Sequence, residues 1–390
     1  MSDYLPPEVL LDILKRLPVK SLLRFRIVSK LWYSLITNPN FICQHLLHTT
    51  LLTPPRALVR HCTQDPNRPS RLVEHYSLRF DNENSFDVYM KPEFPFKSSV
   101  SHFRIVGCCN GFLCLADHIT GGKCNIHLWN PSVGKSVAVP FNGSGSYFTH
   151  FGFGFGFDEL TNDDKVVAYM NPQDSGVQPR AEIYSLSSGI WREITTKGLR
   201  YALSFDAAAT ASLNGVTHWG AVDVGKVWSD PEREFIATFS FKDEVFGEMM
   251  LPEKGSMPHN CHRFLMIYQD SLAFVDVDDF DGRCWIWVMK NYGVLESWTL
   301  LFDIGASRIF CWPIGFRMNG ELLMVSMDGK LLMDRWRTSL VSCDPKRGQV
   351  KDLFVIEGSE HRKLVDNIEN FVDSWYLGRY VESLVLLDRV

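Results

Sequence analysis

The 390-residue chain predicts an α+β multidomain protein: a small N-terminal unit of three short helices, then a mainly-β propeller of about six blades. Three observations lead there. Apolar residues recur at helical spacing from Val9 to Leu35, and after about residue 100 short apolar or alternating runs bounded by Gly, Asn, Asp and Pro replace them. Asn-Gly pairs at 110, 214 and 319 each precede an apolar run, at separations of 104 and 105 residues. Charge is split as well: residues 1–50 hold six Lys or Arg against three Asp or Glu, a net of +3, whereas the whole chain carries −5. These shifts divide the chain into 1–48, helical; 49–100, linker and first strands; and 101–390, the β repeat, and the first and last are expected to be separable modules.

In the first unit, Pro6-Pro7 suit a helix's opening turn, and Val9, Leu10, Ile13, Leu14 and Leu17 follow as a stripe that Pro18 stops. After a short segment from Val19 to Leu23, a third helix is predicted over Arg24–Ile36, ending where Pro39 forces Asn38 out of helical geometry. Its stripe is Phe25, Val28, Trp32 and Leu35, widened by Ile27 and Leu31. So broad an apolar surface, on a unit at the size where a core is marginal, needs cover from a partner or from the chain's own larger region. Phosphate contacts would need Arg24, Arg26 and Lys30 without large apolar residues between them, and a membrane-surface helix would need a longer stripe, so neither nucleic acid nor membrane is expected as a partner.

The β region shows a second period. "WNPSVGKS" (Trp129 to Ser136), "YSLSSGIW" (Tyr184 to Trp191), "FSFKDEVF" (Phe239 to Phe246) and "CDPKRGQV" (Cys343 to Val350) each end a strand, turn, and meet a partner seven positions on. "IWVMKNYGVLESW", ending at Trp298, is a longer variant. A hairpin in every unit of roughly fifty residues is the pattern of propeller blades. "RYVESLVLL", Arg379 to Leu387, reads as a strand that pairs with an early blade and closes the ring.

Patterns that suggest chemistry fail on inspection. "FGFGFGFDE" has Phe157 where a phosphate loop needs its third glycine; alternation instead puts Phe on one strand face and leaves the Gly face open to another sheet. "DVDDFDGR" has Asp281 where a calcium loop needs glycine and Trp287 where it needs glutamate, so Asp281-Gly282 reads as a hairpin turn. His259, Cys261 and His262 lack an orienting acid, and the ten cysteines lack paired C-x-x-C spacing and read as reduced thiols. Trp129, Trp191, Trp219, Trp285, Trp287 and Trp298 fall mostly on blade interiors. No catalytic residue, metal set or cofactor site is predicted. The segment "MSDYLPPEVL" has no basic region before an apolar core, and no apolar run spans a bilayer, so a cytoplasmic or nuclear setting is expected.

Residues 5–41, "LPPEVLLDILKRLPVKSLLRFRIVSKLWYSLITNPNF", closely resemble the F-box, through Leu5-Pro6, Leu17-Pro18, the Ser21-Leu22-Leu23-Arg24 step, Val28, Lys30 and Trp32. The resemblance implies docking onto a Skp-family adaptor that links to a cullin and a ring-finger subunit. Leu5, Pro6, Ile13, Leu17, Pro18, Leu22, Val28 and Trp32 would supply apolar contact, with Arg24 and Lys30 nearer the rim. "GCCNGFLCL", "LWNPSVGK", "GFGFDELTNDDKVV", "SLNGVTHWGA", "IWVMKNYGVLESW" and "YVESLVLL" similarly resemble, in order, the plant kelch-like F-box-associated domain. Together they imply a plant protein that is not an enzyme: the substrate-recognition subunit of a ubiquitin ligase, presenting a target protein through blade-connecting loops such as 171–180 and 252–262. The alternatives are an adaptor-bound scaffold or competitor acting outside degradation, and a propeller enzyme of the copper-oxidase kind.

Overall fold

Among the residues described by the computed structural model, four α-helices precede 25 strands. The structure describes residues 6–53, 56–65, 67–82, 85–98, 102–118, 124–141, 148–172, 178–203, 210–223, 234–252, 261–278, 281–305, 310–328, 337–356 and 374–386. The helices are α1 (Pro7–Lys15), α2 (Val19–Phe25), α3 (Lys30–Ile36) and α4 (Pro39–Leu52). The single helix expected over Arg24–Ile36 is two, because the Ser29 hydroxyl accepts from the Trp32 backbone N–H at 3.2 Å and starts α3 afresh. The helix ends before Asn38-Pro39, as expected, but a fourth helix, not expected, opens at Pro39, a position that needs no N–H donor, with the Asn38 side chain accepting from Asn40 N.

The strands form β1 (Arg56–Asp65), β2 (Arg68–Phe80), β3 (Val88–Met90), β4 (Arg104–Cys109), β5 (Phe112–His118), β6 (Cys124–Asn130), β7 (Lys135–Val139), β8 (Phe148–Asp158) and β9 (Asp163–Pro172). Next come β10 (Arg180–Ser185), β11 (Ile190–Ile194), β12 (Tyr201–Leu203), β13 (Thr210–Leu213), β14 (Val216–Asp223), β15 (Glu234–Ser240), β16 (Val245–Met250), β17 (Cys261–Tyr268) and β18 (Ser271–Asp278). The last are β19 (Cys284–Met289), β20 (Trp298–Ile304), β21 (Phe310–Phe316), β22 (Leu322–Asp328), β23 (Arg337–Asp344), β24 (Gln349–Ile356) and β25 (Trp375–Tyr380). They make six antiparallel sheets, five of four strands in meander order and one in which β12 and β13 share the inner place beside β14. Six blades is therefore the observed number.

The first sheet runs β25-β1-β2-β3, so the end of the chain supplies its inner strand and closes the ring. The closing strand is Trp375–Tyr380 rather than Arg379–Leu387; Val381 to Leu384 leave the sheet, and Leu387 lies outside the described residues.

Hairpin registers match the sequence spacing. Trp129 pairs with Ser136, Tyr184 with Trp191, Phe239 with Phe246, Cys343 with Val350, and Met289 with Trp298. Asn110-Gly111 and Asn214-Gly215 have positive φ at both residues, 49° and 77°, then 52° and 71°, the conformation a tight two-residue hairpin requires. Between Phe151, Phe153 and Phe155, buried against the preceding blade, the glycines of β8 admit the following one: a Cβ on Gly154 would lie 2.6 Å from Thr217 Cγ2 and 2.8 Å from Trp219 Cζ2. Asp281-Gly282 lies between the paired strands β18 and β19, with Gly282 at φ 70°.

Each blade interface is apolar with a few buried polar clips. Lys165 bridges Asp158 at 2.6 Å and Glu244 at 2.8 Å across one joint. Burial opposes ionisation of Asp158, yet the hydrogen bonds from Lys165 and Thr161 prevail and hold its carboxyl down to about 2.

Candidate functional site

In antiparallel meanders the first-to-second and third-to-fourth turns of every blade share one face of the ring, and the other connections share the opposite face. The helical unit sits on the first of these. Val133, in the β6–β7 turn, packs into its core, and Leu46 and Thr50 of α4 border the central channel beside Asn110, Gly111, Asn214 and Gln269. The channel, of about 560 Å³, is lined by β4, β13, β17, β21 and β25.

The core of the helical unit is small: Leu14, Val19, Leu22, Ile36, Phe41 and Ile42, with Trp32 standing edge-on to Phe25 at 5.1 Å. Buried His45 on α4 donates from Nε2 to the Leu17 carbonyl at 2.9 Å, tying the Leu17-Pro18 corner to α4. That carbonyl accepts only, which sets the tautomer, and burial holds the ring below the usual histidine range.

A seventh buried hydrophobic member of this core comes from the far end of the chain. Leu384, at 0% exposure, lies among the helices, so the two units share a core. The tail around it is fastened at every step. Glu382 pairs with Arg56 at 3.2 Å. The Asn130 amide donates to Ser383 O and Oγ, each at 3.1 Å, and to Val385 O at 2.8 Å. A Cβ on Gly111 would collide with Val381 O and Ser383 Oγ, so this turn must be bare. Sequence reading missed these roles, yet a signal was present: Leu384 to Leu387 are four apolar residues running, not alternating, as in chain buried on both sides.

The predicted contact residues divide. Pro6, Pro18, Arg24 and Lys30 are exposed, Ile13 is 44% and Val28 67% exposed, and Leu17 and Trp32 are half-buried. Leu22 is fully buried among the chain's own helices and has no surface for a partner, and Leu5 lies outside the described residues. Val9, Ile27, Leu31 and Tyr33 add exposed apolar surface that the prediction did not include as contacts. In all, nine of the 23 exposed large hydrophobic side chains among the described residues fall within 6–53. Asp12, paired with Lys15 and Arg16 at 2.9 and 2.7 Å, has its carboxyl lowered chiefly by the Lys15 hydrogen bond.

The expected target-contact loops 171–180 and 252–262 fall largely outside the described residues, at 173–177 and 253–260; only their flanking strand ends are described, Pro172 of β9 and Arg180 of β10, and Met250 of β16 and Cys261 of β17, and these ends are on the side of the ring away from the helices. His259 is outside the described residues too, whereas Cys261 and His262 are on β17, the His262 ring edge-on to Trp312 at 4.7 Å. Among the described residues no group of three His, Cys, Asp or Glu is placed to hold a metal ion.

A small helical unit exposing apolar residues and seated on a six-bladed propeller is the architecture of an F-box receptor-type protein. The family models agree: the F-box domain matches residues 3–44 and the F-box associated beta propeller domain residues 70–387, and the chain belongs to this F-box family. It is 28% identical to an F-box protein of Arabidopsis thaliana over 90% of this chain and 87% of that one. It is 27% identical to an F-box/kelch-repeat protein of the same plant, over 80% and 82%. Among solved structures, TolB from Acinetobacter baumannii matches with a TM-score of 0.43 at 12% identity, covering 83% of this chain and 71% of TolB.

Proposed function

We propose that this protein is the substrate-recognition subunit of a Skp-cullin-F-box ubiquitin ligase, a non-catalytic receptor acting in the cytosol or nucleus. The observation that carries the reading is the exposed apolar set Val9, Ile13, Ile27, Val28 and Leu31 on an F-box held against a closed propeller. Burying such a set under an adaptor, and through it a cullin and ring-finger subunit, would remove apolar area from water at roughly 25 cal/mol per Å². The exposed cations Lys20, Arg24 and Lys30 suit an acidic adaptor and would speed its approach. The target protein would sit on the opposite face, on connections borne by a rigid ring, and the subunit would work by holding target lysines near the conjugating enzyme.

The test is capture of a Skp-family adaptor by the full chain carrying Ile13→Asp with Val28→Asp, and separately Leu5→Ala with Pro6→Ala. Capture should fall more than tenfold, which is about 1.4 kcal/mol. Undiminished capture by the first variant overturns the docking surface. Proteins recovered with the full chain should gain ubiquitin and accumulate under proteasome inhibition; recovery with neither change would favour the scaffold reading instead.

A further inference from the structure

We propose that residues 381–386 couple closure of the propeller ring to the docking competence of the helical unit; the second half of this rests on the adaptor-docking reading above. The segment continues directly from β25, the strand that closes the ring on β1. Between Glu382 and Leu386 it is fixed at four points. The Glu382 carboxylate, 6% exposed, pairs with Arg56 at the start of β1, whose guanidinium also lies over the Tyr89 ring at 3.5 Å. Ser383 is clipped by the Asn130 amide at the end of β6. Leu384 enters the helical core, and Leu386, turned by a φ of 71°, returns to the core between the second and third blades.

The attachments reach the first sheet, the second and third blades and the helical unit, so they form together only when β25 is seated. Among the described residues the helical unit has six buried hydrophobic side chains of its own, and losing a seventh removes a large part of its cohesion. Val9, Ile13, Ile27, Val28 and Leu31 are carried by the helices and turn that this core supports. A chain whose ring is open would therefore present a loosened handle, and the adaptor would take up only receptors whose propeller is closed.

Hydrogen–deuterium exchange on the full chain tests this, with Leu384→Ala, Asn130→Asp and, as control, the volume-conserving Leu384→Met. Asn130→Asp keeps the acceptor used by Ser132 N but replaces the donor that faces three tail oxygens. Exchange in α1–α3 should accelerate roughly 30-fold or more in both test variants, with 148–172 and 261–278 unchanged and Leu384→Met near the unmodified chain. Adaptor capture should fall in the same two variants. Unchanged exchange in α1–α3 in both, or acceleration spread evenly over helices and propeller, overturns the coupling. An unmodified chain that captures no adaptor would defeat the docking reading, and the exchange data would still decide the strap.

Discussion

The helical unit and the propeller solve the same problem of covering apolar surface in opposite ways. The propeller closes on itself: each blade lies between two others, and the closing strand removes the exposed edge that a stack of sheets would otherwise leave. The helical unit cannot close. With 48 described residues it borrows Leu384 and Val133 for its core and still exposes Ile27 at 83% and Val28 at 67%. The difference shows where burial is left unfinished: the large unit is complete within its own ring, and the small one keeps apolar side chains at its surface, where the proposed adaptor would cover them.

The strongest way to break this contrast is to remove residues 374–390, taking away both the closing strand and the tail. Cooperative thermal unfolding should be lost, because an open sheet edge and an unfilled helical core appear together; a preserved sharp melt would show that closure matters little.

A finer cut lies within the helices. Leu22→Ala should cost about 2–5 kcal/mol in denaturant midpoint terms, whereas Val28→Ala should change stability by less than about 0.5 kcal/mol and weaken adaptor capture instead.

Acid separates the units less sharply. Inside the propeller, His218 donates from Nδ1 to Ala211 O at 3.2 Å, so Nε2 accepts from the Tyr292 hydroxyl at 2.7 Å. Burial lowers its pKa to about 4, and that of His61 to about 3. The unfolded chain takes up these protons near pH 6.5, the folded chain only well below, so stability should fall as pH drops from about 6.5 toward 4. Urea midpoints at pH 7 and 5 should differ by on the order of 1 kcal/mol or more, and His218→Gln should shrink the difference. The smallest effect is expected at Asp12→Asn, which removes exposed pairs with Lys15 and Arg16 and should shift the melt by no more than the equivalent of about 0.5 kcal/mol.

Much of the fold was legible because its signals are local. A residue and its partner seven positions on form a hairpin whatever surrounds them, as Trp129 with Ser136 and Tyr184 with Trp191 show. Alternating Phe and Gly in β8 announced a strand pressed from both sides. The break before Lys30 was harder to see, since the apolar stripe runs through it and only the Ser29 cap interrupts the helix. Leu22 was misplaced for a related reason: periodicity says that a side chain is apolar on a given face, not whether that face meets its own protein or another.

By itself the sequence determined what depends on neighbours in the chain: two regions of different period, tight turns at Asn-Gly, and helix ends at proline and serine. Tertiary structure alone decided what depends on residues hundreds of positions apart. It closed the ring with Trp375–Tyr380 on Arg56–Asp65, set Leu384 among helices that end at Leu52, and put the helices on one face of the propeller. The physical reason is that burial is a property of the assembled surface, and an apolar residue carries no mark of which surface will cover it.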